Sequence, residues 1–358
     1  MEKVMSRKLI TISTIMTLMS TSVMADVPNV AADIAPIHSL VSKVMDGVGE
    51  PKLVIQSGAS PHGYRLRPSE AKALQDANLI FWMGEELTPW LEGAIDTLAS
   101  NASVTALLDQ DGIVLHDFRQ GALFEAHDHD DHDDHDDHKD HDDHDDHDGH
   151  DDHDDHDDHK DHDDHKDHDD HKDHDDHDGH DDHDDHGHGA HDPHAWLSPE
   201  NAKLWLNIIA SKLSVADPEN AASYFTNAAA GQAEIEDMVA EVSATLKPVQ
   251  GGKFVVFHDA YQYFENDFDF YASGAISLSD ASDPSPARIA RIQKRIRDEG
   301  IQCVLAEPQF KKGLVATVME GSEATASVID PLGADIKPGP MLYTQLIKNM
   351  AKKIKDCL

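Results

Sequence analysis

Three histidines stand at places in the chain where an imidazole could meet a metal ion. His62 closes the segment Gly58-Ala59-Ser60-Pro61-His62, just past an apolar run at 53–56. His194 lies in Asp192-Pro193-His194-Ala195-Trp196, ahead of a helix that Pro199 should open. His258 follows the apolar run 254–257 directly. Three neutral imidazoles from separate segments make a common coordination sphere for Zn2+, with a fourth position left over. Manganese or magnesium would call for more carboxylate, and two cysteines in all cannot build a thiolate zinc site or an iron–sulfur centre. Each histidine alone reads equally well as a hydrogen-bonded loop or helix-cap residue; their shared placement at strand ends favours the joint reading. His38, near the start of a helix, is expected to make a local hydrogen bond. Trp82, Trp90, Trp196 and Trp205 have apolar neighbours and read as core residues.

A second population of histidines is of another kind. Between His127 and His186 the chain holds 21 His, 33 Asp and 4 Lys, a local net charge of −29 out of −41 for all 358 residues. The unit is His-Asp-Asp, with His-Lys-Asp and His-Asp-Gly variants. No apolar residue interrupts it, so it cannot bury enough surface to offset chain entropy, and disorder is expected. Its imidazoles, such as His129, His132 and His135, should grip metal weakly in interchangeable groupings, while the carboxylates raise the local cation concentration. His116, just before the tract, could join them. So negative a chain is a poor partner for a phosphate backbone, and no nucleic acid is expected.

These residues need elements to position them. Lys3, Arg7 and Lys8, the apolar run 9–19 and Val23-Met24-Ala25 form a secretory signal pattern, so residues 1–25 are set apart and the mature chain is expected outside the cytoplasm. Short apolar runs then alternate with helical spacing from 26 to 116, and again from 253 to the C-terminus; Pro68, Pro89, Pro199 and Pro286 should open helices, 259–265 reads as a helix and 270–276 as a strand. That alternation predicts an α/β fold with mainly parallel sheets. Between the halves, 218–246 reads as one long helix. The expected organisation is an N-terminal lobe over 26–217, interrupted by the tract at 126–191, a bridging helix over 218–247, and a C-terminal lobe over 248–358. Open α/β sheets bind ligands at the carboxyl ends of their strands, which places His62 and His258 where two lobes could face each other.

The stretches GASPHGYRLRPSEAKALQDANLIFWMGEELTPWL, DPHAWLSPENA, FVVFHDAYQYFE, CVLAEPQF and IDPLG resemble, in order, those of ZnuA-type periplasmic proteins. These are the zinc-binding members of a cluster of zinc and manganese solute-binding proteins that serve ABC importers. An acidic, His-rich insertion before the second histidine motif is typical of them. The resemblance implies two Rossmann-like lobes on one bridging helix, a single zinc ion in the cleft, a membrane permease as partner, a monomer, and a periplasmic location. His62, His194 and His258 fall on the family's three metal-binding histidines. One position departs: some members carry a ligating Glu immediately before the first histidine, and here it is Pro61. Asp330, in Ile329-Asp330-Pro331-Leu332, matches an acidic ligand of other members and competes with water for the fourth place. Cys303 and Cys357 are expected to pair, since the count is even, the compartment is oxidising and both positions match a disulfide in relatives.

Two other classes stay open on the residues. A zinc hydrolase could use three histidines and a water, although no HExxH helix is present. A buffering or storage protein could act mainly through the tract.

Overall fold

The structure, a computed structural model, describes residues 27–119, 191–277, 284–309 and 312–358. The signal segment and the His–Asp tract, with His129, His132 and His135, lie outside the described residues.

The first half builds a parallel sheet in the order β2-β1-β3-β4 from β1 (Val30–Ala32), β2 (Lys52–Leu53), β3 (Leu79–Trp82) and β4 (Ser103–Ala106). The helices α1 (Ala35–Val44), α2 (Pro68–Gln75) and α3 (Pro89–Leu98) connect its strands. β1 and β3 are buried throughout, as central parallel strands must be, and their sequences VAA and LIFW hold no polar residue. Then come α4 (Pro199–Ala216) and the long α5 (Ala221–Leu246). The second half repeats the plan. Its parallel sheet runs β6-β5-β7-β8, from β5 (Phe254–His258), β6 (Ala275–Ser277), β7 (Cys303–Ala306) and β8 (Thr325–Val328). Helices α6 (Gln262–Phe268), α7 (Pro286–Glu299), α8 (Lys312–Met319) and α9 (Leu342–Cys357) accompany it. The α/β class and the two parallel sheets agree with the sequence reading. Among the described residues no helix is long and apolar enough to cross a membrane.

Proline decides where several helices begin. Pro68, Pro89, Pro199 and Pro286 each occupy the first helical position, where a missing N–H costs nothing. Ser198 and Ser285 add side-chain caps, accepting from the backbone N–H of Asn201 and Arg288. α5 spans 26 residues, about 39 Å at the usual rise. It buries one stripe, Tyr224, Ala228, Gly231, Ile235, Met238, Val242 and Leu246, at the helical spacing of three and four. α1, α4 and α9 pack against it, so both halves share this helix as common core. At Gly231 an added Cβ would stand 2.9 Å from Leu206 and 3.1 Å from Lys43, so this crossing closes only over a hydrogen.

Three boundaries differ from the sequence reading. The long helix starts as a 3-10 turn at Pro218–Asn220, because the Asp217 carboxylate accepts from Asn220 and from the Tyr224 hydroxyl. α6 begins at Gln262 rather than 259, since Asp259 is held by an arginine described below. The chain after α6 makes a left-handed turn at Asp269 (φ 49°) and rejoins the sheet only at Ala275, although a strand from 270 was expected. Cys303 and Cys357 form the expected disulfide, tying β7 to the end of α9.

Candidate metal centre

His62 sits in the loop after β2, with a half-buried ring. The loop is pinned from behind: the Trp90 indole donates to the Pro61 carbonyl at 2.7 Å. Below it Glu70 accepts from the Tyr64 hydroxyl at 2.8 Å and from the Arg67 backbone at 2.7 Å, fixing the start of α2.

His194 opens the 3-10 turn Ala195–Leu197 that leads into α4. It is buried. Its backbone N–H and its Nδ1 both meet Asp192 Oδ1, at 3.0 and 2.6 Å. Burial pushes the Asp192 carboxyl up to about 6, against the opposing pull of the His194 N–H and the nearby Arg119. Trp196 follows, its ring 5.2 Å from that of His194, and its indole donates to the Pro331 carbonyl of the second half at 2.8 Å.

His258 ends β5 and is also buried. Its Nδ1 lies 2.6 Å from Glu307 Oε1. The sheet register dictates that partner. Val256 pairs with Leu305 in the neighbouring strand, so two residues further on Glu307 lies beside His258. The same carboxylate faces the buried Tyr261 hydroxyl, which burial and this negative neighbour raise well above its usual range.

The geometry assigns the tautomers. A carboxylate of this kind accepts, so the Nδ1 of His194 and of His258 each donate, and each Nε2 keeps its lone pair. Those two Nε2 atoms face each other at 3.4 Å. Two lone pairs so placed repel unless a cation or a proton lies between them. Tetrahedral zinc with bonds of 2.0–2.1 Å sets its nitrogen ligands about 3.3–3.4 Å apart. The His62 ring lies beside this pair, its centre 5.5 Å from that of His194. All three histidines line one cavity with Ser60, Trp196, Glu307 and Gln309. Among the described residues no group of three or more His, Cys, Asp or Glu stands close enough together to hold a metal ion; the two Nε2 atoms set at a zinc-like spacing are those of His194 and His258.

Other sequence candidates lie elsewhere. Asp330 serves its own turn: Oδ1 accepts from the Leu332 backbone at 2.9 Å and Oδ2 from Ala334 at 2.5 Å, and it does not line the cavity. His38 is buried in α1, its Nε2 3.1 Å from the Pro51 carbonyl, and burial lowers its pKa. His116 packs on the Tyr263 ring at 4.7 Å. Beside it an antiparallel bridge joins Asp117 to His191, on either side of the tract.

Sequence reasoning missed three residues here. Glu307 and Asp192 hold the Nδ1 atoms of His258 and His194. Arg119, the last described residue before the tract, donates to both oxygens of Asp259 and of Glu265, both buried. It thereby holds the segment that follows His258. Asp192, two residues before a histidine, carried a local signal; Glu307 and Arg119 are far away in sequence and carried none.

Known proteins resemble this chain over most of its length. The profile of a family described as zinc-uptake complex component A, periplasmic (ZnuA), matches residues 30–357. A high-affinity zinc uptake system protein ZnuA from Brucella abortus (strain 2308) is 47% identical over 329 residues, covering 92% of this chain and 91% of the relative. Its counterpart from Paracoccus denitrificans (strain Pd 1222) is 44% identical over 335 residues, covering 93% of each. Among solved structures, a crystal structure of ZnuA superposes with a TM-score of 0.65 at 20% identity, covering 93% of this chain and 99% of that one. A zinc-bound ZnuA deletion mutant gives 0.64 at 21% identity, covering 93% and 98%. At such identity the structural likeness speaks for the fold.

Proposed function

The chain belongs to the ZnuA family of periplasmic zinc-uptake components, and from that premise we propose that it takes up Zn2+ between its two lobes through His62, His194 and His258. It captures the ion in the periplasm and delivers it to the membrane permease of an ABC importer. It acts as a single chain whose lobes, 26–217 and 248–358, are joined by the bridging helix at 218–247. The ion is cargo, bound without chemical change.

The observation that carries this reading is the pair of Nε2 atoms 3.4 Å apart, each on a ring turned by a carboxylate at its Nδ1. A carboxylate on the far nitrogen fixes the ring and makes it a better donor to the metal. Asp192 and Glu307 are thereby engaged and are not placed as bases to activate a metal-bound water, which argues against the hydrolase reading. The tract adds many weak sites for capture or buffering.

The test is a competition titration of the full chain against a zinc chelator. Free zinc is held so low that only the strongest site fills. Replacing His62, His194 or His258 by Ala should weaken that site at least ~100-fold, because two imidazoles and water no longer close the shell. Unchanged affinity in all three would contradict the proposal.

A further inference from the structure

The histidines leave one position of a tetrahedral ion unassigned, and among the described residues the acidic side chains near it each already hold a partner. Glu307 is bound to His258, Asp192 to His194, and both oxygens of Asp330 accept backbone N–H groups. Among the described residues, one polar side chain lining the cavity is without a hydrogen-bond partner. Gln309 lines the same cavity as the three histidines, two residues beyond Glu307. Its Oε1 and Nε2 are both shut away from solvent without a hydrogen-bond partner among the described residues. A buried carboxamide with neither end satisfied is costly, and such groups ask for a specific reason.

We propose that Gln309 holds the fourth position of the bound zinc, its carboxamide oxygen accepting a hydrogen bond from the water that completes the shell. The inference rests on the three-histidine site proposed above. An amide oxygen has the chemistry for this place. Zinc-bound water is a strong donor, and an uncharged acceptor steadies it without adding the charge of a fourth carboxylate ligand. A neutral holder suits cargo that must be released again. It also gives the orphaned amide a partner only when the ion is present.

The test uses the full chain with Gln309→Leu, which keeps the volume and removes both polar ends, and Gln309→Glu, which restores an acceptor. Zinc affinity is read by chelator competition at low free zinc, and thermal melting is followed with and without one equivalent of zinc. Gln309→Leu should bind zinc ~10-fold or more weakly. Its metal-free form should melt at the same temperature as the parent or higher, because an unsatisfied group has been removed. Gln309→Glu should bind at least as tightly as the parent. A Gln309→Leu protein with parental zinc affinity overturns the inference, as does one whose only change is a less stable metal-free form. If Gln309→Leu is too unstable to measure, weaker zinc binding by Gln309→Glu overturns it as well. His258→Ala in the same titration separates the two claims. If that variant weakens binding and Gln309→Leu does not, only the role of Gln309 falls; if neither does, the three-histidine site falls too.

Discussion

At the residue scale, the lone pair of a ligating histidine is aimed by whatever holds the other nitrogen. Glu307 does this for His258 and Asp192 for His194, each at 2.6 Å. Glu307→Ala should therefore weaken zinc binding roughly 10- to 100-fold while leaving all three imidazoles in the chain. Asp330→Ala should behave oppositely. It removes two acceptors of backbone N–H groups, so stability should fall by about 1–3 kcal/mol with zinc affinity nearly unchanged. Denaturant unfolding and chelator competition on the two variants check both halves of that contrast; equal zinc affinities would contradict it. The meeting of His62, His194 and His258 at one cavity was legible because each sits where an apolar run or a proline-started helix meets a loop. Glu307 was not, since its place beside His258 follows from the register of β5 against β7, which no local pattern encodes. Asp330 shows the converse: an acidic residue before Pro reads as a ligand or as a turn, and here both carboxylate oxygens accept backbone N–H groups of the turn.

At the element scale, apolar runs and proline starts located nearly every strand and helix, and at one exception a side chain from afar intervenes. α6 starts late because Arg119 holds Asp259, and nothing within 259–265 shows that. Arg119→Ala would leave Asp259 and Glu265 buried without their cation, a loss of about 3–5 kcal/mol. Urea unfolding measures it, and a change under 1 kcal/mol would mean that these carboxylates find other partners. A second buried carboxylate ties β1 to β3: Asp33 accepts from Ile34 and Met83 backbone N–H groups, each at 2.7 Å. Burial outweighs those bonds and raises it from 3.8 to about 7. The folded form thus holds this proton more tightly than the unfolded chain. Its contribution to stability is complete below pH about 4 and is lost as pH rises towards 7. The stability of the parent relative to Asp33→Asn should be greater at pH 5 than at pH 8. A difference that is flat or reversed between those pH values contradicts the assignment.

At the scale of the whole molecule, two parallel sheets are fastened to one helix, and the sequence order showed this plan through its repeated alternation around 218–246. What it could not show is how closely the halves are joined. Gly231 lets α5 sit against α4 and α1, Trp196 of the first half bonds to Pro331 of the second, and Ser39 of α1 donates to the Gly339 carbonyl at 2.7 Å. The disulfide fastens the last helix to its sheet. Its loss on reduction should cost about 4 kcal/mol from the entropy of the freed loop, measurable as a lower urea midpoint. These ties hold His194 and His258, from opposite halves, with their Nε2 atoms 3.4 Å apart. The most direct test is diffraction at the zinc absorption edge from crystals of the full chain loaded with one equivalent of zinc. The account predicts one strong anomalous peak within 2.0–2.1 Å of Nε2 of His62, His194 and His258 together. A peak away from these histidines, or one bonded to residues of a single half only, would contradict it.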